Sequence, residues 1–153
     1  HRCFFFFEDA SIALGRVYEQ RGDFEAASET YKIACARAGS PPRSVLGARK
    51  ALGTLSARRG EFSSAIAIFA ECVALAPENA SIHFNLGLAH KCAGQYRAAL
   101  SHFWDALERD DEMAAAYYHA ADVLIFRVAG ERKEQRPPCS ASSFSARSSD
   151  SDD

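Results

Sequence analysis

The residues able to ligate a metal or attack a substrate are few and scattered along the 153-residue chain. Histidine stands at His1, His83, His90, His102 and His119, and cysteine at Cys3, Cys35, Cys72, Cys92 and Cys139. Common zinc sites draw on paired ligands at short spacing, such as CxxC or HExxH, and neither string occurs. His83 and His90 are seven residues apart. On one helix that is two turns, about 10.5 Å of rise, too far to share an ion. There is no GxSxG nucleophile turn, no Cys/His pair in local context and no phosphate-cradling GxxxxGK[ST] loop. The pattern predicts no metal, no cofactor, no small-molecule substrate and no catalytic residue, so the chain reads as a non-enzyme. The five cysteines are odd in number and lack paired spacing, which predicts reduced thiols in an intracellular, cytoplasmic protein.

Composition narrows the remaining classes. A formal net charge of −2 does not suggest nucleic acid or an acidic membrane surface as partner. No apolar run approaches the ~20 residues of a membrane span, so direct membrane insertion is not expected. Hydrophobic residues make up 48% of the chain, enough to bury a core.

The elements that would position any functional side chain repeat. Eight, thirteen, seventeen and twenty residues after Leu86 stand Gly94, Ala99, Phe103 and Ala106. The same offsets from Leu52 reach Gly60, Ala65, Phe69 and Cys72, and from Leu14 they reach Gly22, Ala27, Tyr31 and Ala34. Leu52 lies 34 residues before Leu86 and 38 after Leu14, the four extra residues falling near Gly39–Arg43. Each unit reads as two amphipathic helices joined at a glycine. The predicted helices are 8–21 and 24–38, 44–59 and 63–76, then 81–93 and 97–109, with one more at 113–128. A small residue on each first helix lets its partner approach, an aromatic fills the space between hairpins, and the joining glycine takes a left-handed C-terminal conformation.

A 34-residue period with small and aromatic residues at these places resembles the tetratricopeptide repeat (TPR) family. Three aligned copies carry the resemblance across about residues 8–112. Departures exist: Ser11, Arg49 and His83 replace a large aromatic, Ser56 and His90 stand where the first unit has Tyr18, and Asp111 replaces a closing proline. The resemblance implies an all-α fold, a right-handed superhelical solenoid of helix-turn-helix repeats. Repeats fall at about 8–41, 46–79 and 80–113, followed by a helix at 114–128. It also implies a protein–protein interaction scaffold or adaptor, binding a peptide segment or the subunits of a complex. The alternative is a regulatory or docking region of a larger enzyme or chaperone-associated protein.

In that family the first helices of successive repeats line a groove. By register the groove takes Ile12, Arg16 and Glu19, then Lys50, Thr54 and Arg58, then Phe84, Asn85, Leu88 and Lys91, and finally Tyr118, His119 and Asp122. Such a basic, aromatic and amide mixture suits an acidic-hydrophobic strip. The carboxylate clamp of chaperone co-factors is absent, its places reading Ile12, Arg16, Ala51, Ser81 and Asn85. So is the asparagine ladder of sugar-transferase arrays, since Ala13 and Ala51 match Asn85. A narrower resemblance rests on Gly22-Asp23-Phe24, Ser40-Pro41-Pro42, Leu75-Ala76-Pro77 and Asn85-Leu86-Gly87-Leu88. These are similar to the TPR subunit of the BBSome, the ciliary membrane-cargo coat. That likeness implies a role in a ciliary trafficking complex and a place at the cilium or basal body.

The two ends read differently. Residues 1–7 (HRCFFFF) are not an amphipathic helix and stay unassigned, either the end of a preceding repeat helix or noncoding sequence translated by mistake. Residues 129–153, rich in serine and charge, are expected to be a disordered tail, with Ser149 in an acidic context for phosphorylation. Met113 is the only methionine and the chain begins at His1, which suggests a fragment or an incomplete gene model.

Overall fold

In the computed structural model, residues 2–37 and 42–128 are described, with side chains from 10–37 and 42–125. Helices α1 (Arg2–Arg21), α2 (Phe24–Ala36), α3 (Pro42–Arg58), α4 (Phe62–Leu75), α5 (Ala80–Cys92), α6 (Tyr96–Arg109) and α7 (Ala114–Val128) follow in order. No strand occurs among the described residues, and the fold is all-α, a helical repeat solenoid. α1 begins at Arg2, so the backbone of the phenylalanine run continues a helix that the sequence pattern started at Glu8. α3 begins at Pro42, earlier than expected. Proline fits the first helical turn because no N–H is needed there and its φ is already helical. The serine-rich tail lies outside the described residues.

The three hairpin turns are built alike. Gly22, Gly60 and Gly94 have φ of 80°, 82° and 77°. Around each, the glycine N–H bonds a carbonyl three residues back and the next N–H bonds one five residues back, as in Gly94 to Lys91 and Gln95 to His90. This pair of bonds closes the last open carbonyls of the first helix and aims the chain back along it. The second helix starts at once, with Ala27 N–H on the Asp23 carbonyl, Ala65 on Glu61 and Ala99 on Gln95.

Close packing locks each hairpin. Tyr31, Phe69 and Phe103 are fully buried, and each lies against the glycine of its own first helix. A Cβ on Gly15 would meet the Tyr31 ring at 2.3 Å, on Gly53 the Phe69 ring at 2.9 Å, and on Gly87 the Phe103 ring at 2.7 Å. Leu86 is buried in the core, whereas Leu14, at the same register on α1, is 47% exposed. Successive first helices meet, α1 with α3, α3 with α5 and α5 with α7, while each second helix packs on the following first helix. The first helices therefore form a continuous inner layer, and α2, α4 and α6 the outer one. Cys35 and Cys72 are free thiols.

Candidate protein-binding face

The inner layer brings the register positions onto neighbouring helices, but most of their charges are already paired. Glu19 on α1 receives Arg58 of α3 at 2.5 Å and the Tyr31 hydroxyl at 2.6 Å. Both bonds fall on one carboxylate, tying the first hairpin to the second. Burial, followed by the hydrogen bond to Glu19, pushes the Tyr31 hydroxyl well above its ordinary range. Arg58 also lies 5.9 Å over the Phe24 ring.

The second tie joins α5 to α7. Lys91 Nζ donates to Asp122 Oδ2 at 2.5 Å and lies 3.1 Å from His119 Nδ1. Lys91 is 10% exposed, so this ammonium is held inside the array. Burial, with Lys91 second, lowers His119 to about 4. Its ring is therefore neutral at pH 7 and accepts from the ammonium at Nδ1. The ring also packs on Phe84, 5.7 Å between centroids, and meets Tyr118 edge-on at 5.3 Å.

The groove positions thus separate. Thr54, Phe84, Asn85 and Leu88 are buried in the array and present no side chain to a partner in this structure. Thr54 uses its hydroxyl on the Lys50 carbonyl at 2.9 Å, one turn back. Helical register alone ranks these positions as inward, and inward on a tightly packed layer means covered by the next first helix. Arg16 and Arg58 are exposed and Lys50 half-buried. Tyr118 is the most open of the set, at 69%. Tyr117, Leu124 and Ile125 on α7 are exposed as well. They sit outside the expected site, although the run from Val123 to Phe126 signals an apolar helix. The reading of isolated histidines also missed a meeting across the third hairpin. His83 approaches His102 and Asp105 rather than His90.

Three family models, each described as tetratricopeptide repeat, match residues 10–42, 50–91 and 85–109. The chain is a tetratricopeptide-repeat array. Its TPR hairpins superpose on those of a TPR protein from Parabacteroides merdae with a TM-score of 0.70 at 21% identity, covering 77% of this chain and 46% of that one. The first TPR of Spaghetti (RPAP3), bound to the HSP90 peptide SRMEEVD, gives a TM-score of 0.70 at 15% identity, covering 80% of this chain and 94% of that one. The Sgt2 TPR domain from Aspergillus fumigatus gives 0.69 at 16% identity, covering 86% and 85%. Identities this low speak to the fold alone. Among curated proteins, the CTR9 homolog of Arabidopsis thaliana is 27% identical over 112 residues, 73% of this chain. The chain spans about a tenth of that relative's length, 10%. None of the described helices is long and apolar enough to cross a membrane.

Proposed function

We propose that this TPR array is a protein-binding scaffold or adaptor without catalysis of its own, and that a partner segment seats on the inner face at α7. The observation that carries the reading is Tyr118. It stands 69% exposed beside the neutral His119 ring, while the neighbouring apolar positions Phe84 and Leu88 are covered. An exposed aromatic rimmed by fixed polar groups is the usual composition of a binding hot spot. With Lys91 and Arg58 each neutralised by a carboxylate, the face favours an apolar or aromatic anchor over a strongly acidic strip.

The HSP90-derived peptide of the RPAP3 complex is not a natural ligand for this surface. The clamp places hold Ile12, Arg16, Ala51, Ser81 and Asn85, and Asn85 is fully buried. The residues behind the ciliary-coat likeness have structural work common to any such hairpin. Gly22 closes a turn at positive φ, and Gly87 admits the Phe103 ring. They therefore single out no ciliary coat, and the curated relative that matches is a CTR9 homolog. The rival reading, a docking region of a larger enzyme, shares the same binding face and differs in what the full-length protein does.

The test is affinity purification of the full-length native protein from its source cells, with mass spectrometry, in wild-type and Tyr118→Ser forms. Loss of one or more co-purifying proteins by about tenfold or more in the variant, at unchanged circular dichroism, is the expected result. Equal recovery by both forms would overturn the placement at α7. Turnover by the purified full-length protein would overturn the non-catalytic reading.

A further inference from the structure

The hairpin of α5 and α6 carries a second feature, at the end away from the Gly94 turn. His83, near the start of α5, faces His102 and Asp105 of α6. His83 Nδ1 lies 3.9 Å from Asp105 Oδ2, and His102 Nδ1 lies 3.5 Å from the same oxygen. One ligand atom from each of the three residues lies within 4.8 Å of the others. Both Nδ1 atoms are buried and neither has a hydrogen-bond partner. Leaving a buried polar atom unsatisfied costs about 1–3 kcal/mol, so two at one place call for an explanation.

Chemistry fixes which way the His83 ring is protonated. Its Nε2 lies 2.8 Å from the Pro77 carbonyl oxygen. A carbonyl only accepts, so Nε2 carries the proton and Nδ1 presents a lone pair toward Asp105. That Pro77 carbonyl is itself anchored by Arg109, whose Nε donates to it at 2.7 Å. Arg109 Nη1 donates to the Asp105 backbone carbonyl, also at 2.7 Å. A backbone carbonyl holding the far nitrogen of an imidazole is the customary outer support of a metal-ligating histidine. The near side holds an imidazole lone pair, a second Nδ1 and a carboxylate. A cation placed among them meets two imidazole nitrogens and a carboxylate oxygen.

We propose that His83, His102 and Asp105 bind a divalent first-row transition cation, Zn(II) foremost, through the two Nδ1 atoms and Oδ2. Two imidazoles and one carboxylate form a ligand set that zinc accepts while keeping a fourth position open. Calcium and magnesium take oxygen ligands and are poorly served here. Zinc bonds of about 2.0–2.1 Å in a tetrahedron space the ligand atoms by about 3.3 Å. The observed 3.5 and 3.9 Å need only small side-chain rotations to reach that spacing. His102 is 26% and Asp105 39% exposed, so the ion enters from solvent and water completes its shell. Bound there, it fastens the first turn of α5 to the last turns of α6.

The test uses the full chain stripped with a chelator and titrated calorimetrically with zinc chloride just above neutral pH. One ion per chain, with a raised melting temperature, is expected. Co(II) in place of zinc should give the visible absorption of a four-coordinate nitrogen–oxygen site. His102→Gln and Asp105→Asn should each weaken binding by about tenfold or more, and His90→Gln far less. Both substituted positions reach solvent, so these variants should keep the wild-type fold without metal, checked by circular dichroism. If one of them does not fold, the other decides. Absence of saturable binding by the wild-type chain, or equal affinity in both ligand variants, would overturn the site.

Discussion

Replacing Gly87 by alanine sets two effects of opposite sign against each other. A Cβ at this position would stand 2.7 Å from Phe103 Cδ1 and Cε1 and 3.2 Å from the Ala99 carbonyl oxygen. Carbon pairs rest at about 3.5–4.0 Å, so the ring must retreat by about 1 Å. It has nowhere to go. Phe103 is fully buried, with Phe84 at 5.9 Å and His119 at 6.0 Å between ring centroids. Moving α5 instead meets the α6 backbone at Ala99. Overpacking of this kind costs about 1–3 kcal/mol. Alanine returns up to about 1 kcal/mol through its helix propensity. The net expectation is a loss of about 1 kcal/mol for Gly87→Ala and about 3 kcal/mol for Gly87→Leu. Urea unfolding followed by circular dichroism reads this as a lower midpoint at unchanged slope. Pairing Gly87→Ala with Phe103→Leu should recover part of the loss, since the smaller side chain vacates the contested space. Gly53→Ala, whose nearest ring atom is 2.9 Å away, should cost less. A Gly87→Ala midpoint equal to or above wild type would show that the glycine sits in slack space, and the close-approach account would fail.

Three further outcomes follow from the inner face and the core. Asp122→Asn leaves the 10% exposed Lys91 ammonium without its counter-charge and should cost about 1–3 kcal/mol in the same urea assay. An unchanged midpoint would show that this pair does not hold α5 to α7. In the same cluster, His119 is lowered from 6.5 to about 4 by burial and by Lys91. The unfolded chain therefore takes up a proton first, so this residue's contribution to stability is present above pH 6.5 and is lost as pH falls toward 4. A His119→Gln chain should lose that part of the pH slope, and an NMR titration placing the imidazole at its ordinary value would contradict it. Burial also pushes the Cys72 thiol up to about 12. It should therefore resist alkylation at mildly alkaline pH until the chain unfolds, and labelling in the native state as fast as a free thiol would refute its burial.

The periodic parts of the molecule were legible because the same residue does the same work in each copy. Gly22, Gly60 and Gly94 announce a left-handed turn, and the three rings Tyr31, Phe69 and Phe103 stand opposite three glycines at fixed offset. What periodicity does not encode is how one copy meets the next. Register put Glu19, Arg58, Lys91 and Asp122 on the inner face but could not show that they pair with each other, because those bonds cross 39 and 31 residues of chain. Nor does spacing along a helix reveal His83 beside His102, a contact made only when α5 folds back on α6. The phenylalanine run failed for another reason. An apolar run without amphipathic period carries no helix signal of its own, yet the backbone of α1 continues through it.

The cross-repeat pairs bear on specificity as well as on stability. A TPR groove that recognises acidic peptides through basic side chains needs those cations unpaired. Here Arg58 sits 2.5 Å from Glu19 and Lys91 2.5 Å from Asp122, each bond spanning two first helices. A partner carboxylate would have to displace an internal one, trading one charge-assisted bond for another with little net gain. The same bonds hold neighbouring first helices in fixed relation, which lowers the ordering cost that a partner must meet on docking. Such a face gains little from an acidic strip and more from a side chain that fills space beside Tyr118, where the ring is already exposed and its surroundings are already fixed.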